Sequence, residues 1–217
     1  MAQEGVIKYQ LWFLERPPLP AEALSGIDAW RRLLFQTGLI GQDPARYGGY
    51  GYGNVSVRVP PLEAPPTWRR FAISATQTGG LPVLGPEHYA LVRGCYPAEN
   101  LIVAEGPGLP SSEALTHGVL YALDAGVRAV LHVHSPALWH AAAPLGLPVT
   151  RPDVPYGTPE MAGEVARLFA ETDVRQRRLF AMGGHEDGLV AFGATAEEAG
   201  TVLLAALARA LAHAAAP

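Results

Sequence analysis

The chain carries one lysine, Lys8, and one cysteine, Cys95, in 217 residues. A lone cysteine excludes a disulfide framework within the chain and reads as a small buried residue. Lys8 sits in an N-terminal arm. That leaves no good candidate for a Schiff-base reaction, which needs a desolvated amine in the pocket. Carbonyl chemistry would then take its electrophile from a metal ion. No apolar run reaches spanning length, and the N-terminus lacks a charged segment followed by a long apolar stretch. The expectation is a cytoplasmic protein with no signal peptide and no membrane partner. Basic runs are missing too, and a net charge of −4 argues against nucleic acid.

Aromatic residues are only 8% against 49% hydrophobic, so much of the apolar content is alanine on helices. The length suits a single domain over residues 1–217 with a substantial core, residues 1–20 forming the arm. No internal repeat and no linker interrupts it.

What is present centres on Ala129-Val130-Leu131-His132-Val133-His134-Ser135-Pro136. The run Arg128–His134 reads as a strand, in which alternate side chains share a face. Val130, His132 and His134 lie on one side, Ala129, Leu131 and Val133 on the other. Imidazoles ~7 Å apart along a strand can converge on one metal ion. His185 is a further imidazole, in the polar, glycine-rich turn Met182–Gly188 between two short strand-like runs, where functional groups are often displayed. Glu186 and Asp187 beside it read either as groups that orient its ring or as solvated turn residues. Glu113 precedes His132 by 19 residues. Ser111–Gly126 has a serine N-cap signal and a glycine stop, which places Glu113 in the first helical turn. There the carboxylate suits the helix dipole, and a capping role competes with a metal or acid–base role. Three imidazoles and a carboxylate suit zinc, and other divalent first-row metals less selectively.

Elsewhere, residues 5–14 read as a strand or arm ended by Pro17, Pro18 and Pro20, and residues 21–38 as a helix. Strands are expected near 55–59 and 71–74. Thr158-Pro159 opens another helix, and Thr195-Ala196-Glu197-Glu198 is a capping box for the last one, Ala196–His213. That helix is apolar nearly all round, which suggests burial against other subunits. Gly48–Asn54 is a flexible loop entering a strand; it lacks the Gly-Lys-Ser/Thr of a P-loop. Ser111 and Ser112 add hydroxyls at a helix start, and Thr78-Gly79 adds a hydroxyl and a backbone open to close approach. Arg58 shares a face with Asn54 if no bulge intervenes. His117 and Tyr121 read as packing residues with satisfied polar tips, or as residues facing the pocket.

The succession Gly53-Asn54-Val55-Ser56-Val57-Arg58, Thr76-Gln77-Thr78-Gly79-Gly80, Pro110-Ser111-Ser112-Glu113, His132-Val133-His134 and His185 resembles the class II aldolase/adducin family over roughly residues 20–212. The resemblance implies an α/β fold of three layers, α/β/α, around a central, mostly antiparallel sheet. It also implies a homo-oligomer, usually a tetramer, with zinc near a subunit boundary. By position, it makes His132, His134 and His185 metal ligands and Glu113 the fourth ligand or the acid/base. Gly53, Asn54, Thr78, Gly79, Ser111 and Ser112 would line a phosphate or carboxylate pocket. The implied activity is a zinc-dependent lyase acting on a small hydroxy-carbonyl compound through a metal-stabilised enediolate. Dehydration, epimerisation and decarboxylation use the same chemistry, and a non-catalytic adducin-like module or a metal-dependent hydrolase are the alternatives. Two departures from the family pattern concern the reaction. The segment after the two-histidine motif is short and lacks the longer stretch that carries the family's tyrosine acid, leaving Tyr156 as a poorly aligned substitute, and His185 is followed by Glu186 rather than glycine.

Overall fold

The computed structural model describes residues 5–215; the first four residues of the expected arm lie outside them. In chain order the strands and helices are β1 (Gln10–Glu15), α1 (Ser25–Gln36), β2 (Gly41–Gln42), β3 (Gly51–Tyr52), β4 (Asn54–Arg58), β5 (Phe71–Ser74), β6 (Tyr89–Tyr96) and β7 (Leu101–Gly106). There follow α2 (Ala114–Leu123), β8 (Ala129–His134), α3 (Pro136–His140), α4 (Pro159–Glu171), α5 (Val174–Arg177), β9 (Leu179–Ala181), β10 (Gly188–Gly193) and α6 (Ala196–Ala214).

Eight strands form one sheet in the order β1-β7-β6-β5-β4-β8-β10-β9, while β2 and β3 pair by themselves. Only β1 and β7 run parallel; every other pair in the large sheet is antiparallel. This is the mostly antiparallel α/β sheet that the family resemblance implies. Apolar side chains pack on both of its faces. One cluster joins the sheet to α2 and α4 through Leu115, Val119, Met161 and Val165. The other joins it to α1, α3 and α6 through Ile27, Leu138, Leu203 and Ala206.

β8 shows how sequence alternation becomes layer assignment. Val130 belongs to the first cluster, Leu131 and Val133 to the second. Leu131 and Val133 are completely buried, each contributing about 1.5–3 kcal/mol by removal from water. His132 and His134 consequently point into the α2 layer.

The helix starts follow their capping chemistry in two cases and depart from it in two. Thr158 Oγ1 accepts from the Met161 N–H at 3.3 Å, and Thr195 Oγ1 from the Glu198 N–H at 3.1 Å. The helix expected over 21–38 starts at Ser25, after a separate 3-10 turn at Ala21–Ala23. The helix expected over 111–126 is α2, and Glu113 occupies its N-cap rather than its first turn. Ser111 Oγ accepts from the Glu113 N–H at 3.2 Å, so the serine closes a tight turn ahead of the helix instead of capping it.

The last helix buries one side within the chain and leaves Leu211 exposed on the other. Its small residues Ala199, Gly200, Ala206 and Ala210 are buried within the chain's own fold, with α6 against β10, α3 and α1. Alanine and glycine permit this close approach, so much of its apolar surface is used internally. Among the described residues, no helix is long and apolar enough to cross a membrane.

Candidate metal centre

Three buried histidines meet where β8 ends. β8 supplies His132 and His134, and the turn after β9 supplies His185. That turn is closed by the His185 N–H on Met182 O at 3.2 Å and the Gly188 N–H on His185 O at 2.9 Å. Gly183 and Gly184 let it press on the backbone of residues 150–154, where a Cβ at Gly184 would strike Val154 O. The antiparallel register sets Gly188 opposite His134, which fixes the turn beside the strand end.

One ligand nitrogen from each of His132, His134 and His185 lies within 4.8 Å of the other two. The His132 and His185 Nε2 atoms are 3.3 Å apart. Two nitrogens on a tetrahedral zinc, each ~2.1 Å from it, are separated by ~3.4 Å. His132 Nδ1 lies 3.1 Å from Leu189 O, so it donates there and leaves Nε2 as a lone pair facing the cluster. The His134 ring stands edge-on to His185 at 4.7 Å and to Tyr47 at 4.6 Å.

Burial keeps these rings neutral, the form that binds metal. It depresses the His132 pKa to about 4. Burial and neighbouring imidazoles hold His134 and His185 well below the usual range. The three-histidine set therefore fits a divalent cation in geometry and in charge state.

Glu113 stands beside this group rather than within it. Its Oε1 is 3.7 Å from His185 Nε2, and its Oε2 accepts from Thr116 Oγ1 at 2.8 Å. Burial raises its pKa to about 7, against the smaller opposing effects of the Thr116 hydroxyl and the Lys8 charge. A carboxyl poised near neutrality can both take and return a proton.

The residues expected to line an anion pocket also come together. Gly53, Asn54, Thr78, Gly79, Ser111 and Ser112 surround a cavity of about 20 Å³ that Gly5 also lines. A buried guanidinium positions one wall: Arg31 donates to the carbonyls of Thr78 at 2.9 Å and Gly79 at 3.1 Å. Gly79 packs so closely on β2 and β3 that a Cβ would come within 2.6 Å of Gly41 O. The Thr78 hydroxyl, however, donates to Ala75 O at 2.7 Å and is spent locally. Arg58 is remote from the anion pocket in its bonding, donating to Leu62 O at 2.9 Å.

His117 and Tyr121 both meet Ser56 Oγ, at 2.7 Å each, a buried network in which His117 Nε2 has no hydrogen-bond partner. Of the two acids after His185, Asp187 accepts from Tyr47 OH at 2.7 Å and pairs with Arg46, while Glu186 is exposed.

The arm brings Lys8 and Tyr9 to the site, neither of which sequence reasoning placed there. The Lys8 ammonium lies 3.3 Å from the Tyr156 ring centroid and donates to Tyr156 O at 3.0 Å. The Tyr156 ring in turn packs against His185 at 4.4 Å. Tyr9 OH donates to Ser111 O at 2.8 Å, tying the arm to the turn that presents Glu113. The lysine that the sequence places only in the N-terminal arm therefore lies next to the site. Its scarcity in the sequence was the one signal that could have marked it.

The sequence matches the family described as Class II Aldolase and Adducin N-terminal domain over residues 45–213, and the chain belongs to that family. Among solved structures, L-fuculose-1-phosphate aldolase from Thermus thermophilus is similar at 21% identity and a TM-score of 0.63, covering 91% of this chain and 99% of that one. YgbL from Escherichia coli, described as a putative aldolase/epimerase/decarboxylase, shares 20% identity at a TM-score of 0.62, covering 88% of each chain. A sugar-phosphate aldolase from Thermotoga maritima shares 20% at 0.61, covering 90% of this chain and 97% of that one. Identities this low establish a common fold and no more. No curated protein matches the sequence.

Proposed function

We propose that this class II aldolase-family protein is a divalent-metal-dependent lyase acting on a small hydroxy-carbonyl compound. In this reading residues 1–217 form one catalytic domain, zinc is the metal, and His132, His134 and His185 are its ligands. The observation that carries it is the convergence of three neutral, buried imidazoles beside a buried carboxyl with a pKa of about 7. A bound divalent ion supplies Lewis-acid polarisation of the substrate carbonyl.

The chain's own groups do the rest. Glu113 acts as acid/base rather than fourth ligand, because it falls outside the three converging histidines and Thr116 holds one of its oxygens. It removes a proton next to the carbonyl, or from a hydroxyl, and returns it later. Asn54, Ser111 and Ser112 present polar groups to the substrate from the adjoining cradle. Tyr156, buried with its ring on His185, is placed to exclude water from the His185 side. Dehydration, epimerisation and decarboxylation remain within reach of the same groups. Retention of all three histidines together with Glu113 favours catalysis over a purely structural module.

The protein is further proposed to assemble as a homotetramer. Supporting this, Trp12, Leu14 and Trp68 are exposed around a groove of about 580 Å³ near the β1 edge, apolar surface that a partner subunit would cover. Sedimentation as a monomer at full metal content would remove this part. The catalytic reading is tested by metal analysis and by turnover on a panel of hydroxy-ketones and hydroxy-oxo acids. One zinc per chain, with turnover that Glu113→Gln lowers by about 10²-fold or more, supports it. A protein that folds but takes up no divalent metal refutes it.

A further inference from the structure

The three histidines are shut away from solvent: His132, His134 and His185 are 0%, 1% and 5% exposed. A substrate that is to meet an ion there must first displace part of the wall. Three tyrosine rings stand in that wall, Tyr47 and Tyr52 against His134 at 4.6 and 5.5 Å and Tyr156 against His185 at 4.4 Å. Tyr52 is buried in β3 with its hydroxyl on Gly38 O, and Tyr156 is buried with its hydroxyl taking the Val6 N–H. Of the three, only Tyr47 is partly exposed.

The segment that carries Tyr47 is loosely tied. β2 and β3 pair through Gly41 with Tyr52 and Gln42 with Gly51, so residues 43–50 are the loop of a hairpin with a fixed base. Pro44 and Ala45 are exposed, and among the described residues the two apolar clusters take nothing from this loop. Few buried apolar contacts mean a low cost of local opening. Tyr47, Gly48 and Gly49 are all left-handed, with φ of 50°, 67° and 78°. That suits the glycines and strains the tyrosine, so contacts and not backbone preference hold it in place. Two of the loop's side chains cross to one carboxylate. Tyr47 OH donates to Asp187 Oδ2 at 2.7 Å, and Arg46 pairs with the same oxygen at 3.5 Å while donating to the Tyr47 hydroxyl. Asp187 is itself firmly seated: its carbonyl accepts from the Ser135 N–H at 2.9 Å, beside the Gly188 N–H that closes the His185 turn.

We propose that residues 43–50 form a gate over the histidine cluster, with Tyr47 swinging off His134 and Asp187 serving as its catch. Closed, the Tyr47 ring keeps water from the His134 side; open, it admits substrate and releases product. This adds an entrance to the metal-lyase reading above and rests on that reading for its purpose. The movement itself is testable without metal or turnover.

Diethylpyrocarbonate, which acylates accessible neutral imidazole, is applied to metal-free protein and its labelling read residue by residue by mass spectrometry. Tyr47→Phe keeps the ring and removes the hydroxyl that reaches Asp187. It is expected to label His134 at least about tenfold faster than wild type, the scale of a hydrogen bond to a charged group. Asp187→Asn should act alike from the other side of the latch. His117, equally buried but held by Ser56 under α2, should stay slow, and exposed His140 should label at one rate throughout. Unchanged His134 labelling in folded Tyr47→Phe overturns the gate, as does a rise that His117 shares, which is general loosening. If Tyr47→Phe does not fold, Asp187→Asn is judged by the same two criteria. A wild-type protein that takes up no zinc refutes the metal reading, while the labelling still decides the gate; zinc uptake with unchanged labelling refutes the gate alone.

Discussion

Glu113 and Glu164 are both buried carboxylates, 1% and 3% exposed, yet their environments drive them to opposite charge states. Glu164, on α4, is gripped by the Arg167 fork at 2.9 and 2.7 Å and by the Arg151 N–H at 2.8 Å. The Arg167 hydrogen bonds outweigh burial and hold its pKa down to about 2. Glu113 has a single neutral hydroxyl donor in contact, so burial wins and its pKa rises to about 7. Low exposure alone therefore does not set the charge: Glu164 is covered by charged donors near the surface, whereas Glu113 lies deep in the fold with one neutral donor. A carboxylate fully paired is committed to structure. One left with a free oxygen near neutral pKa is available for chemistry.

The comparison rests on the histidines being a metal site, and breaking that gives the largest effect. The His132→Ala/His134→Ala double variant should lose essentially all bound zinc while keeping its circular dichroism spectrum. Stoichiometric zinc in that folded variant would leave Glu113 an ordinary buried acid. Next in size, Glu113→Gln should keep most of the zinc and lower turnover by about 10²-fold or more, the contribution of a general acid–base group. Unchanged turnover would reduce Glu113 to a turn residue at the start of α2.

On the structural side, Arg167→Met should destabilise the fold by about 1.5–3 kcal/mol, since it removes charged hydrogen bonds from a buried carboxylate. Urea denaturation reads this directly, and a loss below ~0.5 kcal/mol, the level of an ordinary surface change, would mean the fork is idle. Turnover should be unaffected by this change.

The most discriminating effect is the pH dependence of stability. The folded pKa of Glu164 is depressed from 4.5 to about 2, so its stabilisation is complete above pH 4.5 and lost as pH falls through about 2. The folded pKa of Glu113 is raised from 4.5 to about 7, so in metal-free protein its contribution is complete below pH 4.5 and lost as pH rises through about 7. Glu164→Gln should therefore flatten the acid limb of the stability curve, and Glu113→Gln the limb between 4.5 and about 7. Both substitutions flattening the same limb would show that the two sites do not differ as described.

How far each site could be read in advance follows from how local its causes are. The shared face of His132 and His134 follows from strand alternation, and the starts of α4 and α6 from Thr158 and Thr195 capping their own helices. The start of α2 was less legible, because Ser111 spends its acceptor on the Glu113 N–H and closes a turn outside the helix. The apolar periphery of α6 reads as burial without saying against what, since a sequence does not say which alanines another helix of the same chain will cover. Lys8 was legible only as a rarity; its placement depends on β1 joining β7, residues 101–106, by parallel pairing across the chain.

By itself the sequence determined the alternation that puts two imidazoles on one face, the glycine-permitted turn that carries the third, and membership of a family through motifs in order. These depend on covalent geometry and short-range hydrogen bonding, which act within a few residues. Only the tertiary structure decided that His185 reaches to within 3.3 Å of His132, that Glu113 is left with one hydroxyl donor, and that the arm sets Lys8 beside the site. Those outcomes depend on which segments exclude water from one another, and desolvation is a property of the assembled layers that no local pattern encodes.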